Sequence, residues 1–177
     1  MLAAALCVTG TPQDTANFKQ FTSKTYRYTV GYPATWHLRV LNDIFAIENF
    51  APSEAVRGAR LPPGGAEIVV EVPRPPSRAT QKLPSNLDEW VELSTAHQRI
   101  IGRAARNLET GQSKRAVIEI KVQCCAVPPY QEFVKWYFQI EDRMFSVTLG
   151  YWQGDPNAEQ LLVTFREVAL SLKINNT

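Results

Sequence analysis

The sequence predicts an α+β fold, with an antiparallel sheet of about six to seven strands and two helices packed against it. Several short runs alternate apolar and polar residues, which is the pattern of strands with one buried face. Turns between neighbouring runs have hairpin length, which favours antiparallel pairing. Two stretches carry apolar residues at helical spacing on one side only, as expected of helices that cover a sheet.

Four strands are predicted before the first helix. The first runs from Tyr26 and ends at Pro33, because proline has no N–H to give to a sheet ladder. In the stretch GYPATW this proline forms a structural joint, and Trp36 begins the second strand in the core. The four strands cover residues 26–32, 36–41, 44–50 and 67–72. Two Pro/Gly-rich loops, residues 51–66 and 73–86, flank the fourth strand, and loops of this length are usually functional or mobile.

A helix, three antiparallel strands and a second helix follow. The first helix is predicted to start at Asn86, with Glu89 completing a capping box, and to extend to Ile101 with a frayed end through Arg106. A turn at residues 107–114 leads into strands over residues 116–124, 132–140 and 144–152. Asp155 is the predicted N-cap of the last helix, whose apolar stripe consists of Ala158, Leu161, Leu162, Phe165, Ala169 and Leu172.

The chain has 177 residues, which is enough for one domain with its own core. We divide it into residues 1–17, a leader remnant or flexible tail, and residues 18–177, a single domain. Residues 1–10 are apolar and small, like the second half of a secretory signal without its basic start. Cys7 could be a lipoprotein cysteine, although Leu6 stands where a small residue is expected. We therefore predict an extracytoplasmic location, either periplasmic or secreted, with a membrane anchor as one alternative. A cytoplasmic location stays open.

The bulk charge and hydropathy give no indication of nucleic-acid binding or of a membrane-spanning helix. The formal net charge is +2, too small to indicate nucleic-acid binding by itself. The sequence has no apolar run of eighteen or more residues, so it predicts no membrane-spanning helix.

Three stretches resemble the PsbP-like superfamily, which includes the photosystem II extrinsic protein, the Ran-binding Mog protein and DcrB-type bacterial lipoproteins. They are TVGYPATW, SNLDEWVEL and the ending FSVTLGYWQGDPNAEQLLVTFREVALSLK, and the likeness spans about residues 20–173. The resemblance implies an α/β/α sandwich around an antiparallel sheet. It also implies a non-catalytic binding or assembly role, often outside the cytoplasm. No Ran-binding residues are carried over.

The sequence predicts neither an enzyme nor a cofactor or metal site. It lacks the phosphate-loop, dinucleotide, zinc-protease, nucleophile-elbow and C-x-x-C motifs. His37 is predicted to face solvent and His97 to be a half-buried structural residue beside the first helix. Cys124 and Cys125 are predicted to be an inert core thiol beside an exposed one, since a redox role needs a lowered thiol pKa.

Basic charge is the sharpest functional feature. The two long loops are rich in basic residues, and the predicted first helix adds arginines spaced four and then three apart, on one stripe. Such a surface attracts an acidic protein, lipid headgroups or another polyanion. Solvated surface arginines are the alternative. The predicted binding patch consists of Arg57, Arg60, Arg74, Arg78, Lys82, Arg99, Arg103 and Arg106.

Two functional hypotheses follow. The first is a non-catalytic, exported interaction domain that binds a protein partner or an anionic surface, with peripheral membrane association as one form of it. The second is a small-ligand module or small enzyme that uses a cavity between sheet and helix. Its walls would be Tyr28, Tyr32, Tyr137 or Trp152. A concave pocket with buried Asp, Glu or His would favour the second hypothesis.

Overall fold

Ten strands and two helices are formed by the residues that this computed structural model describes, namely 17–41, 44–52, 61–74, 83–110, 113–124 and 129–175. In chain order they are β1 (Phe18–Ser23), β2 (Tyr28–Pro33), β3 (His37–Leu41), β4 (Ile44–Glu48), β5 (Glu67–Glu71), α1 (Leu87–Thr95), β6 (Arg99–Thr110), β7 (Ser113–Cys124), β8 (Gln131–Ile140), β9 (Arg143–Trp152), α2 (Ala158–Ser171) and β10 (Lys173–Ile174).

Seven strands form one antiparallel sheet in the order β3-β4-β5-β9-β8-β7-β6. The other three form a smaller antiparallel sheet in the order β1-β2-β10. The predicted α+β class and the predicted antiparallel sheet of about six to seven strands are therefore confirmed. The smaller sheet is an addition to the prediction, and it takes the first predicted strand, now β2, out of the main sheet.

One face of the large sheet packs against α2 and the small sheet. The ring of Phe165 in α2 lies 4.4 Å, centroid to centroid, from that of Trp136 in β8. Tyr28 of β2 meets Phe145 of β9 edge-on at 5.8 Å. All four side chains are buried in the main hydrophobic core. Aromatic side chains bury the largest apolar areas of any residues, so this layer contributes most of the hydrophobic stabilisation.

Arg115 of β7 fixes the C-terminal end of α2 to the sheet. Its guanidinium donates hydrogen bonds to the carbonyl oxygens of Ala169 at 2.9 Å and Leu172 at 3.3 Å. It also lies 4.8 Å from the ring centre of Phe138. Burial lowers the pKa of Arg115. A positive charge at this position complements the carbonyl end of the helix dipole.

The opposite face of the large sheet packs against α1. Trp90 of α1 meets Tyr137 of β8 edge-on at 5.5 Å, and the Ser94 and Tyr137 hydroxyls lie 2.7 Å apart. Ile120 and Val122 of β7 complete this second core. With α1 on one face and α2 on the other, the molecule has the α/β/α layering that the resemblance implies.

Both helix starts differ in detail from the prediction. Asn86 caps α1 as predicted, accepting from the Glu89 N–H at 2.9 Å, but the Glu89 carboxylate reaches back to the Ser85 N–H and hydroxyl. The predicted N-cap of α2, Asp155, instead accepts from the Asn157 N–H at 2.7 Å, and the helix begins at Ala158. That local turn delays the helix because an aspartate side chain competes for nearby backbone donors.

The predicted continuation of α1 to Ile101 or Arg106 is wrong. The helix ends at Thr95, and Arg99–Thr110 is a strand that pairs with β7 along nearly its whole length. The predicted turn at residues 107–114 is replaced by the ends of these two strands. β-Branched residues and a glycine at 100–102 weaken a helix here, while the strand pairs with β7 and buries Leu108 in the main core.

The GYPATW stretch connects the two sheets. Pro33 ends β2 in the small sheet, the Trp36 N–H donates to the Pro33 carbonyl at 3.0 Å, and β3 then starts in the large sheet. Gly31 is packed so closely on α2 that its N–H donates to the Ser171 hydroxyl at 2.8 Å. A Cβ at this position would lie 3.3 Å from the same oxygen. Trp36 is half-buried against the main core rather than fully enclosed.

Tyr151 is expected to titrate late. Its partly buried hydroxyl donates to Glu132 at 3.1 Å, and burial, followed by the charge of Glu132, raises the pKa of Tyr151 to about 12. An unfolded tyrosine has a pKa of about 10. The resulting stabilisation is therefore fully present below pH ~10 and lost as pH rises through the folded-state value. Phenolate absorbance should show a late step that Tyr151→Phe removes. If Tyr151→Phe instead removed a phenolate step near pH ~10, the raised pKa of Tyr151 would be contradicted.

Candidate functional site

Four members of the predicted basic patch lie within the described residues, and four do not. Arg74 follows β5 and is half-buried, while Arg99, Arg103 and Arg106 belong to β6. The remaining members, Arg57, Arg60, Arg78 and Lys82, lie outside the described residues. The patch as a whole therefore stays a prediction.

The three arginines of β6 do not form the predicted helical stripe, because their segment is a strand. Arg103 pairs with Asp88 of α1, Nη2 to Oδ1, at 2.7 Å. Arg106 points to the other face, where its Nε lies 3.0 Å from Glu119 Oε1. Glu119 is buried and also accepts from the Trp136 indole N–H at 3.0 Å. Arg106 thus has a structural partner in the core, whereas the ion pair of Arg103 is exposed on both sides.

β6 forms one edge of the large sheet. Its one strand neighbour among the described residues is β7, so one side of a 12-residue strand has no strand partner in that part of the chain. Ile100 and Ile101 at its start are 47% and 48% exposed. The ladder shifts register between Ile100 and Gly102, which indicates a bulge. We call this surface, residues 99–110, the β6 edge. It combines open backbone, exposed isoleucines and arginines.

A groove of about 540 Å³ lies on the sheet face that carries α1. Because α1 has only nine residues, it packs on part of β7 and β8 and leaves the rest of that face open. The groove is lined by Val69 and Glu71 from β5, Thr148 from β9, Phe133 and Lys135 from β8, and Val122 from β7. The segment between α1 and β6, with His97 and Arg99, forms a further part of the wall. We call it the α1 groove.

Lys135 is the main charge on the floor of the α1 groove. It is half-buried on β8, between Ile120 and Thr148 on the neighbouring strands. Burial lowers the pKa of Lys135, and the negative charge of Glu71 acts in the opposite direction. None of the ion pairs among the described residues includes Lys135. The ammonium is thus partly desolvated without a close carboxylate in that part of the chain.

The predicted histidine and cysteine environments have mixed outcomes. His37 is exposed on β3, as predicted. His97 lies after the end of α1 and is exposed at the groove, so the prediction that it is a half-buried structural residue is wrong. Cys124 is also exposed and lines the groove, while Cys125 lies outside the described residues.

Two further findings concern ions and membranes. Among the described residues, no group of three or more His, Cys, Asp or Glu side chains could hold a metal ion. No helix in that part of the chain is both long and apolar enough to cross a bilayer.

The sequence patterns miss the groove. The predicted walls Tyr28, Tyr32 and Tyr137 are buried in the cores, and Trp152 donates its indole N–H to the Pro62 carbonyl at 2.7 Å. None of the four lines the α1 groove. One feature of the sequence could have indicated the groove. Lys135 lies in the middle of a mainly apolar strand and shares a strand face with Phe133 and Tyr137.

The comparisons with known proteins identify the fold. The sequence matches no protein-family model and no curated protein. A crystal structure from Bacteroides thetaiotaomicron is similar with a TM-score of 0.51 and 15% identity over 90% of this chain, which spans 49% of the length of that protein. The Saccharomyces cerevisiae Ran-binding protein Mog1p is similar with a TM-score of 0.50 and 12% identity, over 89% of this chain and 95% of Mog1p.

Cyanobacterial PsbP from Synechocystis matches with a TM-score of 0.46 and 13% identity over 94% of this chain and 98% of its own. The likeness to Mog1p confirms the fold that the resemblance implies. At these identities the likeness concerns the fold alone.

Proposed function

We propose that this domain is a non-catalytic protein-binding domain and that it binds an acidic segment of its partner along the β6 edge. The observation that carries the proposal is the combination on one strand of an open side, two exposed isoleucines and flanking arginines. An anionic membrane surface is the alternative target. An extracytoplasmic location is part of the proposal and rests on the apolar, small-residue composition of residues 1–10.

The backbone of the β6 edge suits the addition of a partner strand. An extended peptide that joins an open sheet edge gains main-chain hydrogen bonds, and pockets or patches for its side chains then provide specificity. Ile100 and Ile101 offer apolar area to such a segment. Burial of that area would contribute about 25 cal/mol for each Å² removed from water.

The arginines on the strand favour an acidic partner. The side chain of Arg103 is 51% exposed, and its ion-pair partner Asp88 is exposed too. A carboxylate of the bound protein can therefore replace Asp88 at little cost in free energy. Arg99 has no ion pair among the described residues. Bidentate contacts of arginine with carboxylates add both energy and orientation.

The bulge near Ile100 and the arginines also limit unwanted pairing. Edge strands in soluble proteins are protected from aggregation by bulges and by charges. A neutral or basic strand would meet repulsion or unpaired charge here, whereas an acidic one would not. Mog1p, which has the same fold, is a Ran-binding protein, and its existence supports a protein-binding role for this chain.

Affinity capture from the native extract tests the proposal by comparing two double variants with equal charge change. Arg99→Glu/Arg103→Glu reverses charge on the β6 edge, and Lys24→Glu/Arg166→Glu reverses it at exposed sites elsewhere. We expect the wild type and the second variant to recover the same protein at low salt and lose it at high salt, and the first variant to recover none. Equal recovery by both variants would contradict the proposal. Salt-sensitive sedimentation with anionic vesicles, without any captured protein, would favour the membrane alternative.

A further inference from the structure

The α1 groove has the size and the lining of a small-molecule site. Its volume of about 540 Å³ falls within the range of roughly 300–1,000 Å³ that is usual for ligand pockets. Val69 on β5, Phe133 on β8 and Val122 on β7 supply an apolar floor. A sheet face gives a ligand a preformed surface, because the hydrogen bonds between strands fix the backbone from which these side chains project.

The charges around this floor favour a single negative charge on the ligand. Lys135 and Arg99 are cationic and Glu71 is anionic, so these three groups leave an excess of one positive charge. An anionic group beside Lys135 would give its ammonium the close partner that it lacks among the described residues. Charge-assisted hydrogen bonds of this type are among the stronger polar contacts in proteins. A multiply charged anion would fit less well because Glu71 repels the additional charge.

We propose that the α1 groove binds a small apolar monocarboxylate, with its carboxylate on Lys135 and its apolar body over Val69, Val122 and Phe133. The inference goes beyond the protein-binding role and does not depend on it, since the ligand lies on the floor of the groove and the β6 edge shares only Arg99 with the groove wall. Aliphatic and aromatic acids share this chemistry, and the test separates them.

The test is an NMR titration of the full chain with decanoate and with phenylbutyrate, each below its critical micelle concentration. Decanol serves as the neutral match for decanoate. We expect saturable shifts at Val69, Val122 and Thr148, with decanoate binding about tenfold to a hundredfold more tightly than decanol because of the charge-assisted contact. Tighter binding of phenylbutyrate than of decanoate would identify the aromatic acids as the preferred members of the class. Equal affinity for decanoate and decanol, shifts elsewhere, or no saturable shift would overturn the proposal.

Lys135→Met removes the charge and keeps the length of the side chain. We expect decanoate affinity to fall to that of decanol while the variant stays as stable as the wild type, because the lost ammonium was partly desolvated and had no close partner. The matched control is Lys121→Met, at an exposed lysine whose neighbour on β8 is Val134, on the opposite face of the sheet. Undiminished decanoate binding by Lys135→Met would overturn the assignment. Lys135→Gln is the second variant if the methionine variant does not fold.

Discussion

Phe165→Ala is expected to lower the free energy of unfolding by about 4 kcal/mol, the largest effect among the changes considered. Phe165 is fully buried, and its ring lies 4.4 Å from the ring of Trp136. Truncation would remove the aromatic contact and leave a cavity between α2 and the large sheet, which neighbours fill only in part. Urea denaturation followed by tryptophan fluorescence measures the change.

Val163→Ala on the same helix is the matched control for Phe165→Ala. Val163 is 45% exposed, so its truncation should change the free energy of unfolding by less than about 0.5 kcal/mol. Equal effects of the two variants would show that α2 does not pack on the sheet through Phe165.

Arg106→Met is expected to lower the free energy of unfolding by about 2 kcal/mol, because it leaves the buried Glu119 carboxylate without its cationic partner. This cost lies below that of breaking a fully buried pair, since the Arg106 side chain is 52% exposed. Adding Glu119→Gln should recover most of the loss, because glutamine removes the charge and can still accept from the Trp136 indole. A double-mutant cycle by urea denaturation gives the coupling.

Arg103→Met is the control for this cycle, because its ion pair with Asp88 is exposed on both sides. Its cost should be below about 0.5 kcal/mol. If Arg106→Met were as harmless as Arg103→Met, Arg106 would be a surface arginine rather than a core partner. The expected cost also explains why the capture experiment uses Arg99 and Arg103 and leaves Arg106 in place.

Local signals predicted the closing hairpin and last helix well. The predicted strands over residues 132–140 and 144–152 nearly coincide with β8 and β9. Glu141 in their turn has a positive φ of 53°, as hairpin turns require. Alternation over ten-residue strands and the apolar stripe of α2 are both strong, and neither depends on distant residues.

Non-local pairing accounts for what the sequence did not predict. The arginines at 99, 103 and 106 match helical spacing, which is a local pattern. The segment nevertheless forms a strand, because it pairs with β7. The small sheet depends on β1 and β10, which pair with β2 from the two ends of the described chain. The wall of the α1 groove includes residues that follow the end of α1 at Thr95, so the wrong helix end also left the groove unpredicted.

Site-specific photocrosslinking from the β6 edge tests the protein-binding role most directly. A photoreactive residue replaces Ile101 in one variant and Val163 of α2, which is similarly exposed, in the other. Both variants are irradiated in native extract at low salt. We predict that position 101 forms a crosslink to one specific protein through an acidic segment, that high salt abolishes the crosslink, and that position 163 forms none. The same crosslinks from both positions, or a specific partner captured from 163 alone, would contradict binding along the β6 edge.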